Sequence, residues 1–190
     1  MNRKYTNPFL PILAILFLTN CLPIVAQNTT LDLSGIWKFQ IDRNDVGVQE
    51  KWFSQQLNDN ITLPGSMNEN RKGDEVTLHT QWTASIYDSS FFYNPRLEKY
   101  RDPNNLKLPF WLTPVKYYVG VAWYQKEVTI PSNWKGKRIV LFLERPHIES
   151  RVWANNKEIG MQNSLSVPHI YDLTECLKPG KNTLSIRIDN

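Results

Sequence analysis

Arg151-Val152-Trp153-Ala154-Asn155-Asn156-Lys157-Glu158-Ile159-Gly160 reads as two strands joined by a two-residue turn. Asparagine tolerates the positive φ angles of a tight hairpin, so two in a row between strand-like runs mark one. Further on, Pro179-Gly180 turns the chain again, and Thr183, Ser185 and Arg187 then alternate with Leu184, Ile186 and Ile188. That period of two predicts a strand with one apolar and one wet face. Working backwards, Trp123 to Ile130 reads as a strand closed by Pro131, and Trp134-Lys135-Gly136-Lys137 as a turn. Arg138-Ile139-Val140-Leu141-Phe142-Leu143 is a nearly unbroken apolar run, the pattern of a strand buried on both faces.

Nearer the start, Gly35 to Ile41 alternates apolar and polar residues, and Ile61-Thr62-Leu63 is stopped by Pro64-Gly65. Val48 to Leu57 is the one plausible helix, with Trp52, Phe53 and Leu57 able to share a face. Short strands separated by Pro, Gly and Asn turns, with almost no helix, predict an all-β fold, a β-sandwich or a barrel. Residues 68–119 break the pattern. They mix charge and proline with ten aromatics, among them Trp82, Trp111 and Tyr118, and show no clean period. A structureless loop of that length is improbable in a compact domain, so this stretch reads as an insertion with one or two short strands, packed by its own aromatics.

The first residues point to export. Arg3 and Lys4 precede the apolar run Phe9 to Leu18. A bilayer span needs about 20 apolar residues, so the run reads as a signal-peptide core and no membrane span is expected. Cleavage after Ala26 would remove residues 1–26 and leave a β-sandwich domain over 27–190. Alternatively Leu18-Thr19-Asn20-Cys21 resembles a loose lipoprotein box, with Cys21 as the lipidated first residue. Either way the expected location is periplasmic or extracellular. The whole chain has 22 basic and 18 acidic residues; without Arg3 and Lys4 it has 20 against 18, a net charge of +2. The basic residues are scattered among acids, which excludes a nucleic-acid footprint. With cleavage at Ala26, Cys176 stands alone, so no intramolecular disulfide forms; beside Leu173 and Leu177 it reads as a small buried hydrophobe. His79, His147 and His169 have no metal-ligand spacing, and no cofactor is indicated.

Several segments resemble one family in the right order. Leu33-Ser34-Gly35-Ile36-Trp37-Lys38-Phe39 is similar to the opening L-x-G-x-W-x-F strand of family 2 glycoside hydrolases. Gly120 to Val128 is similar to their G-x-x-W-Y-x-R/K strand, and Val152 to Gly160 to their V-W-x-N-G-x-x-V-G hairpin. Tyr171-Asp172-Leu173-Thr174, Leu177 to Leu184 and Ile186 to Asn190 complete the order. The resemblance implies a jelly-roll β-sandwich, the N-terminal sugar-binding domain of a larger enzyme. In that family two glutamates on a (β/α)8 barrel cleave the glycosidic bond with retention, which requires carboxyl groups about 5 Å apart. Glu127, Glu144, Glu149, Glu158 and Glu175 match none of the family's catalytic motifs, so no catalytic residue is expected in this chain. The catalytic domain is expected downstream of Asn190. Arg145-Pro146-His147 and the insertion suggest the β-galactosidase-like members rather than the β-glucuronidases.

The resemblance also implies a sugar contact. In those β-galactosidases an Asp after the hairpin reaches the terminal sugar, and Gly160-Met161-Gln162-Asn163-Ser164 places Asn163 there. An amide both donates to and accepts from hydroxyls, so the role survives the change. The plainer reading is a loop Asn satisfying nearby backbone. Trp82, Trp111 and Tyr118 offer faces on which sugar C–H groups pack, or else fill the insertion's own core. Arg145, His147 and Glu149 line a pocket or form surface ion pairs. The expected partners are a terminal β-linked sugar and the enzyme's own downstream domains. Rival readings are a free-standing carbohydrate-binding module and a fragment without activity.

Overall fold

In the computed structural model, residues 29–77, 79–80, 89–104 and 114–190 are described, and the leader, Trp82 and Trp111 lie outside them. Residues 33–190 form one unit. Its described strands are β1 (Gly35–Asp42), β2 (Asp59–Leu63), β3 (Asp74–Glu75), β4 (Lys116–Tyr117), β5 (Val121–Ile130), β6 (Val140–Leu143), β7 (Glu149–Ala154), β8 (Lys157–Asn163), β9 (His169–Asp172) and β10 (Gly180–Asp189). The Asn155-Asn156 hairpin joins β7 to β8 with φ of 47° and 69°, the doubly positive pair of a type I′ turn. Six antiparallel strands form one sheet in the order β2-β1-β5-β10-β7-β8, with separate pairs β3-β4 and β6-β9. The expected jelly-roll β-sandwich is borne out.

Alternation decides what lies between the layers. Trp37 and Phe39 on β1, Ala122, Val128 and Ile130 on β5, Val152 and Ala154 on β7, and Leu184 and Ile186 on β10 are buried in one cluster. Leu141 of β6 and Tyr171 of β9 join it from the second layer, and Ile139, Leu173 and Leu177 are buried with them. Each aliphatic side chain taken out of water here contributes roughly 1.5–3 kcal/mol. The free thiol of Cys176 is half-buried against this cluster.

The other face of the large sheet overturns two expectations. Ser185 and Arg187, predicted to be wet, are buried, along with Gln125 and Asp42. The cover is the segment 43–58, which forms a turn and a 3-10 helix, Trp52–Ser54, where an α-helix over Val48 to Leu57 was expected. Two left-handed residues, Asp45 and Lys51, with φ of 51° and 57°, break the helical path. The Asp42 carboxylate also takes the N–H groups of Val46 and Gly47 at 2.9 and 2.7 Å, bending this strap over the sheet. Gly47 is required there: a Cβ would stand 2.4 Å from Trp123 Nε1. Under the strap Leu57, Val121, Trp123 and Trp153 form a second cluster, with Val48, Trp52 and Phe53 against it.

A third expectation fails at β6. It pairs with β9 alone among the described strands, and its alternating exposure shows that only one of its faces meets the core. Val140 and Phe142 point outward, Phe142 58% exposed beside its cross-strand partner Ile170 at 51%.

Candidate functional site

Ladder register assembles one row of side chains across the covered face of the large sheet. Asp42 pairs with Val121, Val121 with Asp189, Asp189 with Glu149 and Glu149 with Asn163. Residues directly opposite in a ladder project from the same face, so the row runs from the strap's root to the free edge at β8. Arg187, two residues inward on β10 and on the same face, ties it together. Its guanidinium donates to Asp45 at 2.9 and 2.8 Å, to Glu149 at 2.9 Å and to Asp189 at 3.1 Å. Burial alone would lower the pKa of Arg187, but the hydrogen bonds and charges of Asp45 and Asp189 outweigh it and raise the pKa overall. Glu149 thus pairs with buried Arg187, and exposed Arg145 lies near Glu144 at 3.9 Å.

Asn163 ends β8 and is exposed. Among the described residues its side-chain amide makes no hydrogen bond, which leaves both donor and acceptor free for a ligand. Tyr118 lies at the same end of the sheet, just before β5. Its hydroxyl donates to the Val121 carbonyl at 3.0 Å, and the Arg43 guanidinium sits 5.4 Å above its ring. Burial raises the Tyr118 pKa; the Arg43 charge lowers it, and the charges of Asp42, Asp74 and Asp189 raise it further. Arg43 is held in turn by both oxygens of Asp74, at 2.9 and 2.6 Å. Three strand spacings separate Val121 from Asn163, about 14 Å, so the two candidates share an end of the sandwich without touching.

Two more of the glutamates are engaged in ion pairs: Glu127 with Lys181 at 2.9 Å and Glu158 with Arg151 through two bonds of 2.9 and 2.8 Å. Among the described residues, no group of His, Cys, Asp or Glu could hold a metal ion, and no helix is long and apolar enough to cross a membrane. One polar cluster escaped the sequence reading. Ser150, His169 and Tyr171 are buried together, with Ser150 Oγ 2.6 Å from His169 Nδ1 and 2.7 Å from the Tyr171 hydroxyl. The available signal was a Ser and a His on the inward parity of strands otherwise lined by apolar residues.

The model of the glycosyl hydrolases family 2 sugar binding domain matches residues 30–190. The chain is similar to a β-glucuronidase of Paenibacillus borealis, 26% identical over 160 residues, covering 84% of this chain and 21% of that protein. It is also similar to a β-galactosidase of Arthrobacter sp. (strain B7), 32% identical over 167 residues, covering 84% of this chain and 16% of that protein. Among solved structures, a Ruminococcus gnavus β-glucuronidase shares the fold with a TM-score of 0.57 and 22% identity, covering 86% of this chain and 22% of that one. The chain therefore spans about a fifth or less of the length of these relatives.

Proposed function

The chain belongs to glycosyl hydrolase family 2 through its sugar-binding domain, and from that premise we propose that it is the accessory domain of an exported glycosidase. In this reading the sandwich supports a catalytic domain carried elsewhere in the polypeptide and lends Asn163 to the pocket that holds a terminal β-linked sugar. The observation that carries it is the Asn163 amide, exposed and unengaged at the sheet edge, at the position for which the family resemblance implies a sugar contact. An amide suits sugar hydroxyls because it offers two donors and an acceptor in one plane. Both β-galactosidases and β-glucuronidases occur among the relatives, and an uncharged Asn163 favours the neutral sugar. Export rests on the basic head and apolar run of residues 3–18.

Hydrolysis belongs to other residues in this reading, because the retaining mechanism needs two free carboxyl groups about 5 Å apart. The test is direct. The purified chain is expected to release no nitrophenol from 4-nitrophenyl β-galactoside or β-glucuronide, and to bind methyl β-galactoside in a manner weakened by Asn163→Ala. Turnover abolished by changing a carboxylate of this chain would overturn the accessory role. Unchanged binding in Asn163→Ala would remove the pocket contact. Cell fractionation tests export: recovery in the cytoplasm with the first 26 residues intact would refute it.

A further inference from the structure

Asn163 is held between two fixed neighbours. Before it, the Gln162 side chain reaches from β8 to β9 and treats Ile170 as a strand partner. Its Nε2 donates to the Ile170 carbonyl at 2.5 Å, and its Oε1 accepts from the Ile170 N–H at 3.3 Å. After it, the Ser164 N–H donates to the Ile148 carbonyl at 3.1 Å. The Ser164 carbonyl lies 3.2 Å from His169 Nε2. A carbonyl can only accept, so Nε2 carries the hydrogen. On the other side of the ring, Nδ1 is hydrogen-bonded to Ser150 Oγ at 2.6 Å.

The His169 contact is anchored from inside the core. Ser150 is fully buried and His169 is 1% exposed. The Tyr171 hydroxyl donates to the Ser150 carbonyl at 2.8 Å and touches Ser150 Oγ. Ser150 also stands opposite Gln162 in the β7–β8 ladder, so both supports of Asn163 meet across one pair of strands. A buried histidine that served the core alone would spend its bonds inside it. Here the ring's Nε2 reaches out of the core to the backbone immediately after the exposed amide. Fixing that backbone before a ligand arrives reduces the ordering cost of binding.

We propose that His169 is a positioning residue for Asn163, carrying rigidity from the Ser150–Tyr171 pair to the amide that meets the sugar; this rests on the reading of Asn163 given above. Two substitutions separate its two nitrogens. His169→Gln keeps a donor near the place of Nε2, whereas His169→Asn keeps a hydrogen-bonding amide near Nδ1 and loses the reach to Ser164. The experiment follows the isotope-labelled chain by NMR, titrated with methyl β-galactoside and methyl β-glucuronide, with amide hydrogen exchange read on the same samples.

His169→Asn is expected to weaken glycoside binding and speed Ser164 exchange by about three- to tenfold, the worth of one hydrogen bond. Exchange in β5 and β10 should stay as in the parent chain, and His169→Gln should restore most of both effects. In the Asn163→Ala background, His169→Asn should cost no further affinity, because positioning an absent group has no value. Binding in His169→Asn equal to the parent, while Asn163→Ala binds weakly, would overturn the positioning role and leave the sugar contact standing. Binding unaffected by Asn163→Ala would sink the sugar contact, and the positioning role with it.

Discussion

The two faces of the large sheet are both covered, yet they are built from different chemistry. The inner face is sealed by apolar side chains that meet Leu141 and Tyr171 from the second layer. The outer face is sealed by a strap without regular helix, and under it lie Trp123 and Trp153 beside Arg187, Gln125, Ser185 and Asp42. Apolar burial is non-directional and tolerates small shifts, whereas each buried polar group needs a partner in place. The strap supplies two of those partners, since Gln125 donates to the Gln55 carbonyl at 2.8 Å and Ser185 to the Phe53 carbonyl at 3.3 Å, and Asp42 at the end of β1 takes the Trp123 Nε1 hydrogen at 3.0 Å. No buried side-chain nitrogen or oxygen among the described residues is left unbonded. One face thus holds the layers together, and the other fixes where the polar side chains beneath the strap point.

If the outer face is a second core, truncating its central aromatic should hurt as much as truncating one inside. Trp123 is 0% exposed and packs on Trp153 with ring centres 4.9 Å apart, while Phe39 holds the inner face. Trp123→Ala and Phe39→Ala are each expected to cost about 3–5 kcal/mol in urea unfolding. A cost below 1 kcal/mol for Trp123→Ala would reduce the outer cluster to decoration. Arg187→Met comes next. Removing the guanidinium leaves Asp45, Glu149 and Asp189 facing one another, and breaking a buried pair costs about 3–5 kcal/mol. The carboxylates reach water, which places the expected loss at the lower end of that range. Gly47→Ala is smaller, about 1–3 kcal/mol, because a methyl group forced against Trp123 Nε1 must lift the strap.

These contrasts also explain what could be read from residues alone. The inner face was legible because Leu184, Ile186 and Ile188 keep a strict period, and the hairpin because Asn155-Asn156 announces its own φ angles. The outer face was not. Thr183, Ser185 and Arg187 look like a solvated stripe, and only the strap, folded back from more than 120 residues earlier, buries the last two. The hint lay in Trp52, Phe53 and Leu57, large apolar side chains on a segment too short to form a helix with a partner. The apolar run at β6 misled for the converse reason: Phe142 and Val140 continue the run without a second layer above them among the described residues. At the candidate site, resemblance could place Asn163, but the Ser150–His169–Tyr171 support is a contact between strands that no local pattern encodes.

The smallest expected effect concerns the outer layer, where charge is exposed rather than covered. Asp172, at the end of β9, has its carboxyl held down to about 2, first by the Thr174 hydroxyl, then by Arg138 and the Thr174 N–H. Thr174 Oγ1 donates at 2.5 Å and Arg138 Nε at 2.9 Å. A depressed carboxylate favours the folded state while it is ionised, so its contribution is complete above the unfolded-state value of about 3.9 and fades as the pH falls towards 2. Asp172→Asn should therefore lower the melting temperature slightly at pH 6 and make the parent and variant curves converge between pH 4 and pH 2. Because the group is exposed, added salt should shrink the difference at pH 6, whereas the loss in Arg187→Met should persist in salt. Equal salt sensitivity in the two variants would erase the distinction between a covered polar face and an exposed one.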